Sequence, residues 1–162
     1  MILRTVVLAS GLCGALLAAQ FPAYSHQYIQ RLGGAVDALQ QVVADFDHSA
    51  EALGLTRSQA LAQMRGSAFV EARRADMSRT FERHAQLRAD LLTLEGLGPF
   101  MRAYHIGRLT DPEIARKALA AFQPALPLTF ASALFAVGGF LLTIIGLKGL
   151  GALVRGKRPL PA

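Results

Sequence analysis

Four histidines, one cysteine and eleven carboxylates are the side chains through which this 162-residue chain could do chemistry. His26, His48, His84 and His105 fall in four separate segments, and no pair has the i, i+4 spacing that sets two imidazoles on one helical face around a metal. Asp45-Phe46-Asp47-His48 comes nearest to a ligand cluster, but Phe46 belongs to an apolar stripe and its polar neighbours suit a solvated helix end. His84 also occupies a stripe position, where it reads as a core histidine able to respond to mild acid. The glycine pairs Gly33-Gly34 and Gly96-x-Gly98 lack both the preceding strand and the Lys-Ser/Thr sequel of a phosphate loop. There is no serine elbow, no Cys/His nucleophile pair, and no acid pair distinct from ordinary surface charge. The expectation is a chain that is not an enzyme and holds no metal and no cofactor.

Small residues carry a clearer pattern. Ser10, Gly14 and Ala18 recur every fourth residue, and Ser132, Ala136, Gly139, Thr143 and Gly146 recur at 4-3-4-3. Both stripes lie in uncharged stretches, residues 5–19 and 118–147. Helices in lipid associate by close approach of small residues, so the stripes either pair with each other or dock a partner's helix. About twenty residues from Pro127 onward can cross a hydrocarbon core of roughly 30 Å at about 1.5 Å per residue. The first stretch also fits a secretory signal. A cut after Ala18 or Ala19 meets leucine at the −3 position, whereas Ala23-Tyr24-Ser25 satisfies the small-residue rule. The reading adopted is an uncleaved signal anchor. Cys13 inside it reads as a small packing residue, and a single cysteine excludes an internal disulfide framework.

Arg4 precedes the first stretch, and Lys148, Arg155, Lys157 and Arg158 follow the second with no acid among them. Basic flanks stay on the cytoplasmic side, so both ends are expected there. Residues 22–126 hold the other twelve basic residues and all eleven acids, so the net charge of +6 is mostly a topology signal. No basic face or binding motif supports a nucleic-acid partner.

The elements that would position all this are helices. Tyr28, Leu32, Ala35, Leu39, Val42 and Phe46 follow a 4-3-4-3-4 spacing, a coiled-coil-like seam along one long helix. Pro22 either kinks or restarts the chain after the first span. Gly33-Gly34 marks a close helix contact or a local weakness. Thr56-Arg57-Ser58-Gln59 predicts a capping box opening a short helix to about Arg65. A second long helix over 68–94 carries Val70, Met77, Phe81, His84, Leu87, Leu91 and Leu94 and stops before Gly96. Pro99 opens another helix, and Thr110 or Asp111 caps a last one at Pro112. The fold class is therefore all-α, with two transmembrane helices flanking an external helical hairpin or bundle. Its segments are 1–21 (first span), 22–126 (external domain), 127–147 (second span) and 148–162 (basic tail).

The stretch Gln27 to Leu39, followed by Phe46-Asp47 and Gly54 to Leu61, resembles a proteobacterial membrane family catalogued as a domain of unknown function. Pro124-x-x-Pro127-Leu128-Thr129 and both spans belong to the same likeness. It implies a two-span inner-membrane protein and brings no catalytic residues. The expected function is a non-catalytic accessory, structural or assembly subunit of a bacterial inner-membrane complex, with the central domain periplasmic. Its expected partners are membrane lipid and another inner-membrane protein or itself. The alternatives are a periplasmic ligand-sensing module acting through a partner and a self-associating scaffold. The interface residues expected are the two small-residue stripes together with Tyr28, Leu32, Leu39 and Phe46.

Overall fold

The computed structural model describes residues 2–109, 111–124 and 129–156, the side chains of 2, 3 and 153–156 excepted. Helix accounts for most of them, and no strand occurs among the described residues. In chain order the helices are α1 (Ile2–Ala19), α2 (Phe21–Glu51), α3 (Arg57–Gln63), α4 (Ala68–Leu94), α5 (Pro99–Tyr104), α6 (Pro112–Ala120) and α7 (Phe130–Gly156), with a 3-10 turn at Ile106–Arg108. They form two compact units, one from Met1–His26 with Ala121–Ala162 and one from Gln27–Ala120.

The first unit is an antiparallel hairpin of α1 and α7. Gly11 lies against Phe140 and Ile144, Gly14 against Gly139 and Thr143, and Ala18 against Gly139. Beyond them the Phe21 and Phe135 rings meet at 5.1 Å, and Tyr24 meets Phe122 edge-on at 6.2 Å. Pro22 restarts the chain: α1 stops at Ala19, and α2 begins one residue before the proline, in the first turn, where its missing N–H costs nothing. Thr129 caps α7 by accepting the Ser132 N–H at 3.2 Å. The expected span start at Pro127, and the Thr110 cap further back, lie outside the described residues. At its other end α7 runs past Leu147 to Gly156, since no proline interrupts it and Gly149 and Gly151 weaken the helix without ending it. The first part of the expected tail is therefore helical.

The second unit packs around a stripe on α2. Its buried positions are Tyr28, Leu32, Val36, Val43 and Ala50, with Leu39 and Phe46 half-buried between them. This corrects the expected seam at two points: Val36 replaces Ala35, and Val42 is 41% exposed while Val43 is buried. The steps 4-4-3-4-3-4 follow the 3.6-residue period of a straight helix, from which a strict 3.5-residue repeat drifts. Facing core residues are Met77, Leu87 and Leu94 of α4, Leu109 after the 3-10 turn, and Ile114 and Ala118 of α6. The capping box at α3 forms as expected, with Thr56 Oγ1 accepting the Gln59 N–H and Gln59 accepting the Thr56 N–H; α3 ends at Gln63, two residues early. Gly96 turns the chain after α4 at a φ of +74°, which favours glycine. Pro99 opens α5, and the Asp111 carboxylate accepts the N–H groups of Glu113 and Ile114 at 3.1 and 2.9 Å to start α6.

Candidate functional site

In the hairpin, close approach is a consequence of missing side chains. A Cβ built on Gly139 would stand 2.5 Å from Ala18 Cβ and 2.5 Å from the Gly14 carbonyl oxygen. One built on Gly14 would collide with Thr143 Oγ1 and lie 3.0 Å from the Gly139 carbonyl oxygen. Thr143 donates its own hydroxyl to the Gly139 carbonyl at 2.8 Å, so that donor is satisfied within its own helix. Ser132 is buried and hydrogen-bonded to Thr129, and Ser10 and Ala136 are half-buried. Gly146 is exposed with nothing within 4 Å of a built Cβ. The two stripes therefore spend their central residues on each other. Gly11, Ala15 and Ala19 belong to the same seam and were not expected in it. Their signal is helical spacing: steps of three from Gly14 and Ala18 take in Gly11 and Ala15, and a step of four from Ala15 takes in Ala19, all of which steps of four from Ser10 pass over. Cys13 corrects another expectation, because it is exposed and not packed.

The outward faces of the hairpin are apolar. Leu12, Leu16 and Leu17 on α1 and Val137, Leu141, Leu142 and Ile145 on α7 are all more than half exposed. Leu17 reaches 77% and Leu142 73%. α1, continued by α2, and α7 are long and apolar enough to cross a membrane.

The second unit holds its helices with polar ties. Arg57 reaches Asp47 with two hydrogen bonds, 2.7 and 2.5 Å, and lies 4.7 Å from the centroid of the Phe81 ring, which itself packs edge-on against Phe46 at 5.1 Å. The hydrogen-bonded Arg57 guanidinium holds the Asp47 carboxyl below its ordinary value against the opposing effect of burial. Glu113 accepts from Lys117 at 2.7 Å and from Arg83 at 2.6 Å, and these two cations lower its pKa to about 2. Asp90, buried on α4, pairs with Arg108 at 3.0 Å and accepts from Gln86 at 3.2 Å. Tyr28 is buried, and its hydroxyl accepts the Asp111 N–H at 3.1 Å. Apart from Glu113–Lys117 and Asp90–Gln86, each four residues apart, these pairs carry no sequence signal, since 10 to 83 residues separate the partners.

His84 is buried as its stripe position required, and its Nε2 makes no hydrogen bond. It lines an open groove of about 410 Å³ with Gln40, Val43, Arg57, Arg88 and Leu92. No group of three or more His, Cys, Asp or Glu side chains that could hold a metal occurs among the described residues. Gly33 and Gly34 settle their alternative: a Cβ at either would meet nothing within 4 Å, so they are not a close helix contact.

Residues 2–158 match the family described as "Protein of unknown function (DUF2937)". The chain belongs to that family. Neither a curated protein nor a solved structure matches this DUF2937 chain. The likeness carried by the Gln27–Leu39 and Gly54–Leu61 stretches thus leads to a family without an assigned activity, and the role of the DUF2937 chain rests on its own geometry.

Proposed function

We propose that this chain is a non-catalytic accessory or assembly subunit, anchored in a bacterial inner membrane by the α1–α7 hairpin, with residues 27–120 on the periplasmic side. The observation that carries the reading is the hairpin's inside-out polarity: small residues face inward, and leucine, isoleucine and valine face outward. Such side chains on a helix pair in water would form one large apolar patch, whereas in lipid they match the solvent. The cations Arg4, Lys148, Arg155, Lys157 and Arg158 flank the start of α1 and the end of α7, which supports cytoplasmic termini. A retained anchor is supported by Ser25, which lies within α2, fully buried and bonded to the Pro22 carbonyl, where a peptidase would need an extended, accessible chain.

The accessory role draws support from the second unit. α5 and the 3-10 turn expose Phe100, Met101, Tyr104 and Ile106 in one short segment, a concentration of apolar surface that isolated domains seldom carry. Because the small-residue stripes are occupied within the hairpin, this segment is a better surface for another inner-membrane protein than the spans are. Purification of the full chain from native membranes in mild detergent tests the role. One recurrent partner protein is expected, lost on Phe100→Asp with Tyr104→Asp; a solitary monomer would reject it. Reporter fusions at the C-terminus and within 27–120 test the orientation, and an external C-terminus would reject that part.

A further inference from the structure

The two ends of the hairpin differ in a way that the anchor role alone does not require. One end carries the aromatic pairs Phe21–Phe135 and Tyr24–Phe122. At the other, Arg4, Val7 and Leu8 of α1 and Ile144 and Lys148 of α7 line a groove of about 380 Å³. Its floor is apolar and its rim holds two cations. Neither Arg4 nor Lys148 has an ion-pair partner among the described residues, and no Asp or Glu occurs anywhere in residues 1–26 or 121–162. This unit has no carboxylate side chain to set against the pair, so the complementary charge is sought outside it.

We propose that this groove is a binding site for one anionic glycerophospholipid, its phosphodiester held between Arg4 and Lys148 and an acyl chain laid along Val7, Leu8 and Ile144. The Arg4 guanidinium suits two phosphate oxygens at once, and the Lys148 ammonium adds a second charge from the facing helix. Basic pockets between spanning helices on the cytoplasmic side are where anionic head groups bind. A zwitterionic lipid fits less well because its ammonium meets two cations and no acid. A bound lipid would also bridge α1 and α7 at this end of the hairpin. The inference rests on the hairpin lying in a bilayer.

Native mass spectrometry of the delipidated full chain, titrated with phosphatidylglycerol and separately with phosphatidylcholine, tests it. One phosphatidylglycerol should be retained in preference to phosphatidylcholine. Arg4→Gln and Lys148→Gln should each weaken it about five-fold, and the pair about thirty-fold, at about 1 kcal/mol per cation. Arg65→Gln with Arg73→Gln, which removes equal charge from exposed positions of the second unit, should leave retention unchanged, and excess inorganic phosphate should not displace the lipid. Equal retention of the two lipids, an unaffected double variant, an equal loss in the control pair, or displacement by inorganic phosphate would each overturn the site. Extraction of membranes with alkaline carbonate separates this from the underlying reading. A chain that stays with the membrane and shows no lipid preference refutes the groove alone, whereas a chain washed free refutes both.

Discussion

Replacing Gly139 by alanine should open the α1–α7 hairpin, while the same change at the adjacent Gly138 should not. At Gly139 the new methyl would stand 2.5 Å from both Ala18 Cβ and the Gly14 carbonyl oxygen. Relaxed contacts of this kind are about 3.5–4.0 Å, so the helices must part by about 1 Å at this level. Neither neighbour can swing away, because one is a Cβ and the other main chain. Overpacking of this type costs about 1–3 kcal/mol. At Gly138 nothing lies within 4 Å of a built Cβ, and alanine's greater helix propensity favours the variant by up to about 1 kcal/mol. The two variants have the same composition and opposite expected signs. Unfolding of the full chain by SDS in mixed micelles, followed by far-UV circular dichroism, reads the difference. Equal shifts in the two variants, or Gly139→Ala at or above the parent, would refute the close-packed seam.

Gly33→Ala and Gly34→Ala should each stabilise the helical unit by up to about 1 kcal/mol, since α2 has open space at both positions; a lower thermal midpoint for either would show that something packs there. Arg108→Ala leaves the buried Asp90 carboxylate with the Gln86 amide alone and should cost about 1–3 kcal/mol in denaturant unfolding, much of it recovered when Asp90→Leu is added. No recovery in the double variant would mean that the loss is not the stranded charge. Acid should also destabilise the unit. Glu113 has a folded pKa of about 2 against 4.5 ordinarily, and Asp47 is lowered as well, so their contribution is present above about pH 4.5 and is lost as pH falls toward 2. Glu113→Gln should flatten the thermal midpoint's decline across that window, and a curve parallel to the parent's would exclude the linkage.

Local signals were legible without a structure because they are short in range. The Thr56–Gln59 capping box, Pro99 at a first turn, Asp111 before Pro112 and the stop at Gly96 depend on a few neighbouring backbone groups, and each is found where its residues are. The two uncharged stretches likewise yield helices by composition alone. Tertiary packing decided the rest. Which stripe on α2 is buried depended on the straight helix keeping its own period, so Val43 went inward where Val42 was expected. Whether the small residues met each other or stayed open depended on a second helix arriving antiparallel, which buried Gly14 against Gly139 and left Gly146 bare. The ion pairs Arg83–Glu113 and Arg108–Asp90, and the groove that brings Arg4 and Lys148 together, join residues far apart in the chain. Residue type alone made a helical chain with two lipid-compatible segments; only the folding of one helix onto another chose which groups were neutralised, which were buried, and which were left facing outward.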